Sequence, residues 1–245
     1  MNCMVTGVSR GIGRATAAAL LRQGHAVWGL SRTAPGDLGS ASGERFRHSV
    51  CDLGDPESRC RAAEEMDAAG FRPDAVILNA AIEYEEDKPA LSWQKIQDLL
   101  RINVEGSLFW VSRWLDLQPE TSMQFVGVSS LQALRPDADC PAYSASKAAL
   151  SLAFRSLRLR YAGGPPVFKL LFLGPVHTSI KPRFTAVARR RGVATPESVA
   201  RHLANVVLPK KGFSFYYPWT TGMIARFGAW MPDPVFERVT RPLRR

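Results

Sequence analysis

The sequence predicts an α/β fold, a doubly wound parallel sheet of about seven strands with helices on both faces. Three observations carry that prediction. Short apolar runs alternate with helix-like stretches almost to the end of the 245 residues. Each connection is long enough to hold a crossover helix, so the strands are expected to run parallel. No repeat, low-complexity tract or linker divides the chain, and 1–245 is read as one domain.

Taken in order, the strands are expected at Asn2–Thr6, Ala26–Leu30, Arg45–Val50, Ala75–Leu78, Gln124–Val128, Val167–Leu173 and Phe213–Tyr217. Helices are expected near 11–23, 56–69, 92–115, 142–162 and 196–207. The stretch near 142–162 is apolar nearly all round, with Ala145, Ala148, Ala149, Leu152, Ala153, Phe154 and Leu157. Such a helix needs cover on two sides. The sheet supplies one, and a partner subunit in a homodimer or the chain's own C-terminal segment supplies the other. Residues 219–245 read as an amphipathic helical extension, with Trp219, Met223, Ile224, Phe227, Trp230, Met231 and Phe236 among Arg226, Arg238, Arg241 and Arg244. Packing against its own domain is the default for this tail. Peripheral contact with a membrane surface, a cover for a lipophilic pocket and a dimer interface are the alternatives.

Composition narrows the class. With 46% hydrophobic and 22% charged residues the chain can build a sizeable core and is not expected to be disordered. No apolar run reaches the roughly 18 residues of a spanning helix. Met1 runs directly into Asn2-Cys3-Met4-Val5 without a basic-then-apolar leader, so a cytoplasmic location is expected. Cys3, Cys51, Cys60 and Cys140 show no metal-ligand or redox-pair spacing, so reduced thiols and no metal are expected. The net charge of +10 concentrates in Lys181, Arg183 and Arg189–Arg191 and in the C-terminal tail. A positive surface attracts nucleotides, acidic carriers or anionic lipid, or is simply solvated. No nucleic-acid partner is expected.

After the first strand comes Thr6-Gly7-Val8-Ser9-Arg10-Gly11-Ile12-Gly13, followed by a helical run. The glycines permit a tight turn, a close backbone approach to a pyrophosphate and close helix–strand packing. The helix N-terminus presents free amides and a positive dipole end. The position of this stretch at the first strand-to-helix junction makes nucleotide binding the favoured reading over a bare turn. The second strand runs into Ser31 and Arg32, where an NAD site usually places an acid for the ribose hydroxyls. Arg32 offers a planar donor fork to a 2′-phosphate, and Arg10 adds a second positive charge, so NADP(H) is preferred over NAD(H).

Tyr143-Ser144-Ala145-Ser146-Lys147 places a phenol and an ammonium four residues apart, on one helix face. A free phenol titrates near pH 10, and the nearby cation is expected to bring it down into range for proton transfer. Ser129 and Ser130 follow the strand at Gln124–Val128, and the Ser130 hydroxyl is placed to hold a substrate oxygen. Asn103 lies inside a helical pattern where Asn is mildly unfavourable, which fits a kink with a bound water or a plain surface Asn.

These residues together resemble the short-chain dehydrogenases/reductases in their single-domain branch, from residue 2 to about 217. The resemblance rests on Thr6, Gly7, Gly11 and Gly13, on Asp52, on Asn79-Ala80, and on Asn103, Ser130, Tyr143 and Lys147. It implies a Rossmann-like fold and a carbonyl–alcohol oxidoreductase, probed by a small-molecule substrate that is carrier-bound or lipophilic. Tyr143 would be the general acid, Lys147 would lower its pKa and hold the nicotinamide ribose, and Ser130 would orient the carbonyl. Asn103 would hold a relay water. Asp52 would contact the adenine with Leu53 beside it, Asn79 would brace the sheet next to the cofactor, and Val176 and Thr178 would meet the nicotinamide amide. The family usually has Gly at the position of Ala81 and Pro at that of Leu173. The final strand runs into Pro218 and the apolar, basic tail rather than a glycine pair, so the family's usual tetramer is not expected. Residues 178–195 would form a substrate lid whose arginines either attract an anionic substrate or pair with Glu83, Glu85, Glu86 and Asp87. A non-catalytic NADP(H)-binding sensor is the competing reading.

Overall fold

Ala75-Val76-Ile77-Leu78 has no polar side to turn toward water, and all four residues are buried. A strand of this kind belongs in the middle of a sheet covered on both faces. The computed structural model describes residues 1–38, 43–84, 91–117, 122–135, 140–177 and 193–240. In it the strands are β1 Asn2–Thr6, β2 Ala26–Ser31, β3 Phe46–Val50, β4 Ala75–Leu78, β5 Gln124–Ser130, β6 Val167–Leu173 and β7 Ser214–Tyr217. They form one seven-stranded parallel sheet in the order β3-β2-β1-β4-β5-β6-β7. The predicted fold class is the observed one. β2 and β5 run further than expected, which places Ser31 and Ser130 at strand ends.

Alternation along the strands sorts the core into two layers. Cys3, Val5, Ile77, Val126 and Leu171 pack against α1 (Gly11–Arg22) and α6 (Pro196–His202). Met4, Val76, Phe125, Leu170 and Phe172 pack on the other face, against α2 (Pro56–Ala68), α4 (Gly106–Leu117) and α5 (Pro141–Arg160). The end of α6 passes into a π turn, Leu203–Val207, whose last carbonyls need partners. The buried Lys169 on β6 supplies them, donating to Val207 O at 2.8 Å and Leu208 O at 2.7 Å.

The chain winds outward from β1 to β3, then returns to β4 on the other side of β1. The carboxyl ends of β1 and β4 therefore diverge at a switch point, and a crevice opens there. Thr6 stitches its floor. Its hydroxyl accepts from the amides of Asn79 at 3.0 Å and Ala80 at 2.9 Å, and the Asn79 side chain donates back to Thr6 O at 3.0 Å. The helix expected near 92–115 forms as α3 (Trp93–Leu100) and α4 joined by a π turn, Arg101–Glu105. Two short helices end the described chain, α7 (Trp219–Trp230) and α8 (Asp233–Thr240).

Candidate active site

A cavity of about 520 Å³ occupies the crevice at the carboxyl ends of the strands. Gly7, Ser9, Arg10, Gly11 and Ile12 form one wall. Gly7 holds a φ of +79°, a conformation that favours glycine, and a side chain at Gly13 would sit 2.1 Å from Gly7 O. The two glycines thus let α1 start directly against the end of β1. Arg10 precedes α1 without a side-chain cap, leaving the first-turn amides directed at the cavity wall. Leu30, Ser31 and Arg32 reach the cavity from β2, Asp52 and Leu53 from the segment after β3, and Asn79 and Ala80 from the end of β4. The Ser31 hydroxyl donates to Thr33 O at 2.7 Å, and Asp52 Oδ1 accepts from the Gly54 amide at 2.9 Å.

At the other end lie Ser130, Tyr143 and Lys147 with Gln132, Glu83 and Val176. Helix α5 is fixed to β5 by a set of short bonds. Lys147 Nζ donates to Val128 O at 2.9 Å, Ser129 and Ser151 hydroxyls lie 2.7 Å apart, and Ser151 donates to Lys147 O at 2.8 Å. This sets Lys147 Nζ 5.8 Å from the centre of the Tyr143 ring. The Ser130 hydroxyl hydrogen-bonds the phenol and also accepts from the Gln132 amide at 3.2 Å.

The electrostatics differ from the expectation that Lys147 makes the phenol more acidic. Burial pushes the Tyr143 phenol well above its ordinary value, the Glu83 carboxylate adds to the rise, and the Ser130 bond opposes it. Burial also pushes Lys147 down, to about 8, with Glu83 pulling it partly back. For each group desolvation is the largest influence. At neutral pH the phenol is therefore held neutral, as a proton donor must be, beside a lysine that is close to its own titration.

Asn103 lies within the π turn, fully buried. Its side chain accepts from the Ile82 amide at 2.8 Å and donates to Ile82 O at 3.0 Å and to Ser146 Oγ at 3.0 Å. It is thus neither a surface residue nor part of the cavity wall, but clamps the segment leaving β4 to α5. π turns of this kind are frequent at functional sites.

The sequence profile of the short chain dehydrogenase family matches residues 2–184. The chain belongs to that family. A protein of Myxococcus xanthus described as an uncharacterised oxidoreductase is 29% identical over 252 residues, covering 98% of this chain and 96% of its own. The sepiapterin reductase of Xenopus tropicalis is 30% identical over 190 residues, 66% of this chain and 73% of its own. Among solved structures, a short-chain dehydrogenase of Burkholderia cenocepacia in complex with NADP superposes with a TM-score of 0.81 at 20% identity, covering 97% of this chain and 96% of that one.

In this short-chain dehydrogenase, nearly all of the residues singled out from the sequence meet in one cavity. Gly13 and Asn103 are the exceptions, lying behind its wall as packing and clamping residues. Thr178 and the lid residues Lys181, Arg183 and Arg189–Arg191 fall outside the described residues, as do Glu85, Glu86, Asp87, Arg241, Arg244 and Arg245. Ala194, at the far end of the expected lid, bridges to Val176. Glu83 and Gln132 were missed as site residues. Glu83 opens a run of acids expected to pair with the lid arginines, which hides it among them. Its place two residues after Ala81, on the wall leaving β4, was the signal that could have separated it.

Proposed function

We propose that this oxidoreductase is NADP(H)-dependent and interconverts a ketone or ketoacyl carbonyl and its alcohol, with Tyr143 as general acid. The observation that carries the reading is the Tyr143 phenol, hydrogen-bonded by Ser130, in the same cavity wall as Lys147. The glycine turn fits a dinucleotide, because Gly7 and Gly13 leave room where any side chain would collide and the first amides of α1 carry no side-chain cap. Arg10 and Arg32 both line the cavity, and two guanidinium groups there would favour a 2′-phosphate. The Ser31 hydroxyl is already engaged, which leaves the two arginines as the discriminating groups.

When bound, a nicotinamide coenzyme supplies hydride to the carbonyl carbon. Ser130 orients the carbonyl oxygen, and Tyr143 donates its phenolic proton to that oxygen as the C–O bond gains charge. Lys147 stabilises the phenolate left behind and holds the ribose. Val176 would meet the nicotinamide amide, and Asp52 and Leu53 the adenine. A water held at the Asn103 turn would relay a proton toward Lys147.

Oxidation of NADPH and of NADH across a panel of ketones and aldehydes tests the reading. Turnover is expected with NADPH in preference to NADH, and Tyr143→Phe is expected to lose about 10²–10⁴-fold in kcat. Dinucleotide binding without turnover of any carbonyl would instead identify a sensor.

Two surfaces extend the proposal to partners. Along α5, the apolar residues Ala145, Ala149, Leu152 and Leu159 face outward, Leu152 at 65% and Leu159 at 77% exposure. No described part of the C-terminal segment covers them, which favours a homodimer through this stripe. Helix α7 turns Gly222 inward and several of its large residues out. Gly222 packs on Tyr216, whereas Trp219, Ile224, Phe227 and Trp230 are exposed. With Trp at both ends, Arg226 among them and no acid in the helix, this face suits the surface of an anionic membrane.

A further inference from the structure

Glu83 lies at the reacting end of the cavity, in a wall that gives it little freedom. The residue before it, Ile82, has both its amide and its carbonyl bound by Asn103 at 2.8 and 3.0 Å. The residue after it, Tyr84, donates its hydroxyl to Asp98 at 2.9 Å. Glu83 is therefore held between two anchored neighbours, and it lines the same cavity as Ser130, Gln132 and Tyr143. Among the described lining residues the other acid is Asp52, at the adenine end, where its Oδ1 already receives the Gly54 amide.

The carboxylate acts on both reacting side chains, raising the Tyr143 phenol and partly offsetting the effect of burial on Lys147. The Glu83 field raises the Tyr143 phenol, so it does not help that residue to ionise. Partly desolvated carboxylates gain most from a donor that arrives with the ligand, and they repel a second carboxylate. An ionised carboxylate offers about four acceptor sites, so contacts with its own chain leave capacity for a substrate.

We propose that Glu83 is a specificity residue, its carboxylate accepting a hydrogen bond from an ammonium or hydroxyl group carried on the carbon next to the substrate's carbonyl. Amino- and hydroxy-substituted ketones are then selected, and ketones bearing a carboxylate at that place are rejected. This rests on the reading of Tyr143 as the acid that meets the carbonyl oxygen.

Four probes share a benzoyl group and differ only beside the carbonyl: phenacylamine, phenacyl alcohol, propiophenone and benzoylformate. With NADPH, kcat/KM for the intact protein is expected to be highest for phenacylamine or phenacyl alcohol, lower for propiophenone and lowest for benzoylformate. The two leading arms distinguish a requirement for charge from one for a donor. Glu83→Gln is expected to reduce the phenacylamine-to-propiophenone ratio by about 10- to 100-fold, mainly through KM, and Glu83→Asp to recover part of it. A ratio near one in the intact protein overturns the proposal even if the variants do not fold, and so does a ratio that Glu83→Gln leaves unchanged. Tyr143→Phe on the same panel keeps the two readings apart. Undiminished turnover there refutes the proton donor, whereas the substrate ratio speaks only to Glu83.

Discussion

Lys147 carries an ammonium into the interior, where the Val128 carbonyl accepts one of its three protons. Burial holds it at about 8, below the unfolded value near 10.4. The sign of the linkage follows. The folded state binds this proton less tightly than the unfolded chain, so the charged lysine lowers stability at pH below about 8. That penalty fades as pH rises from about 8 to about 10.4. Lys147→Met is therefore expected to stabilise the ligand-free protein at pH 7 by about 1–3 kcal/mol, an upper range set by the shift and reduced by the lost Val128 bond. The gain should shrink toward pH 10, and turnover should be abolished throughout. Urea denaturation at pH 7 and at pH 9.5 reads the difference, and a variant less stable at pH 7 would contradict it. The spacing of Tyr143 and Lys147 was legible in the sequence because one helical turn brings them to one face. The sign of the field on the phenol was not. It depends on burial and on Glu83, which arrives from a different strand end.

Elements were easier to read than single charges, for reasons visible in β4 and β6. Ala75–Leu78 is a continuous apolar run and Val167–Leu173 one interrupted by Lys169 alone, and the expected spans are the observed ones. β5 ends at Ser130 rather than Val128 because pairing with β6 continues through Ser130↔Leu173, a tertiary fact that two serines do not announce. The π turn at Arg101–Glu105 shifts the helical hydrogen-bond register without altering the apolar pattern, and Asn103 alone hinted at it. The junction of β1 and α1 carries the sharpest prediction at this scale. A Cβ at Gly13 would lie 2.1 Å from Gly7 O and 2.6 Å from Asn79 Nδ2, so even alanine must push α1 away from the turn or break the Asn79–Thr6 stitch. Gly13→Ala is expected to cost about 1–3 kcal/mol in urea denaturation and to weaken NADPH binding in a fluorescence titration. A variant with unchanged stability would show that α1 tolerates the displacement.

At the scale of the whole molecule, apolar side chains on α5 and on α7 are both left exposed, and the two surfaces make separable demands. Among the described residues no helix is long and apolar enough to cross a membrane, so α7 can meet a bilayer only by lying on it. Its inward face is closed by Gly222 against Tyr216 and by the Arg135 side chain donating to Gly228 O at 2.6 Å. The large side chains are thus fixed outward by packing beneath them. Trp230, at 84% exposure, and Phe227, at 71%, make few contacts to lose, so replacing them by glutamate should leave the fold intact. The double variant Phe227→Glu/Trp230→Glu is expected to bind anionic vesicles at least about tenfold more weakly, since burial of either side chain is worth roughly 1.5–3 kcal/mol when complete. Leu152→Arg addresses the other surface. At a two-fold interface each substitution is counted twice, once from each protomer, so a single exposed leucine can decide the assembly. Sedimentation should then find Leu152→Arg monomeric with vesicle binding retained, and the α7 double variant dimeric with vesicle binding lost. If both variants lost both properties, dimer and membrane contact would share one surface, and the separation of α5 from α7 as independent interfaces would be wrong.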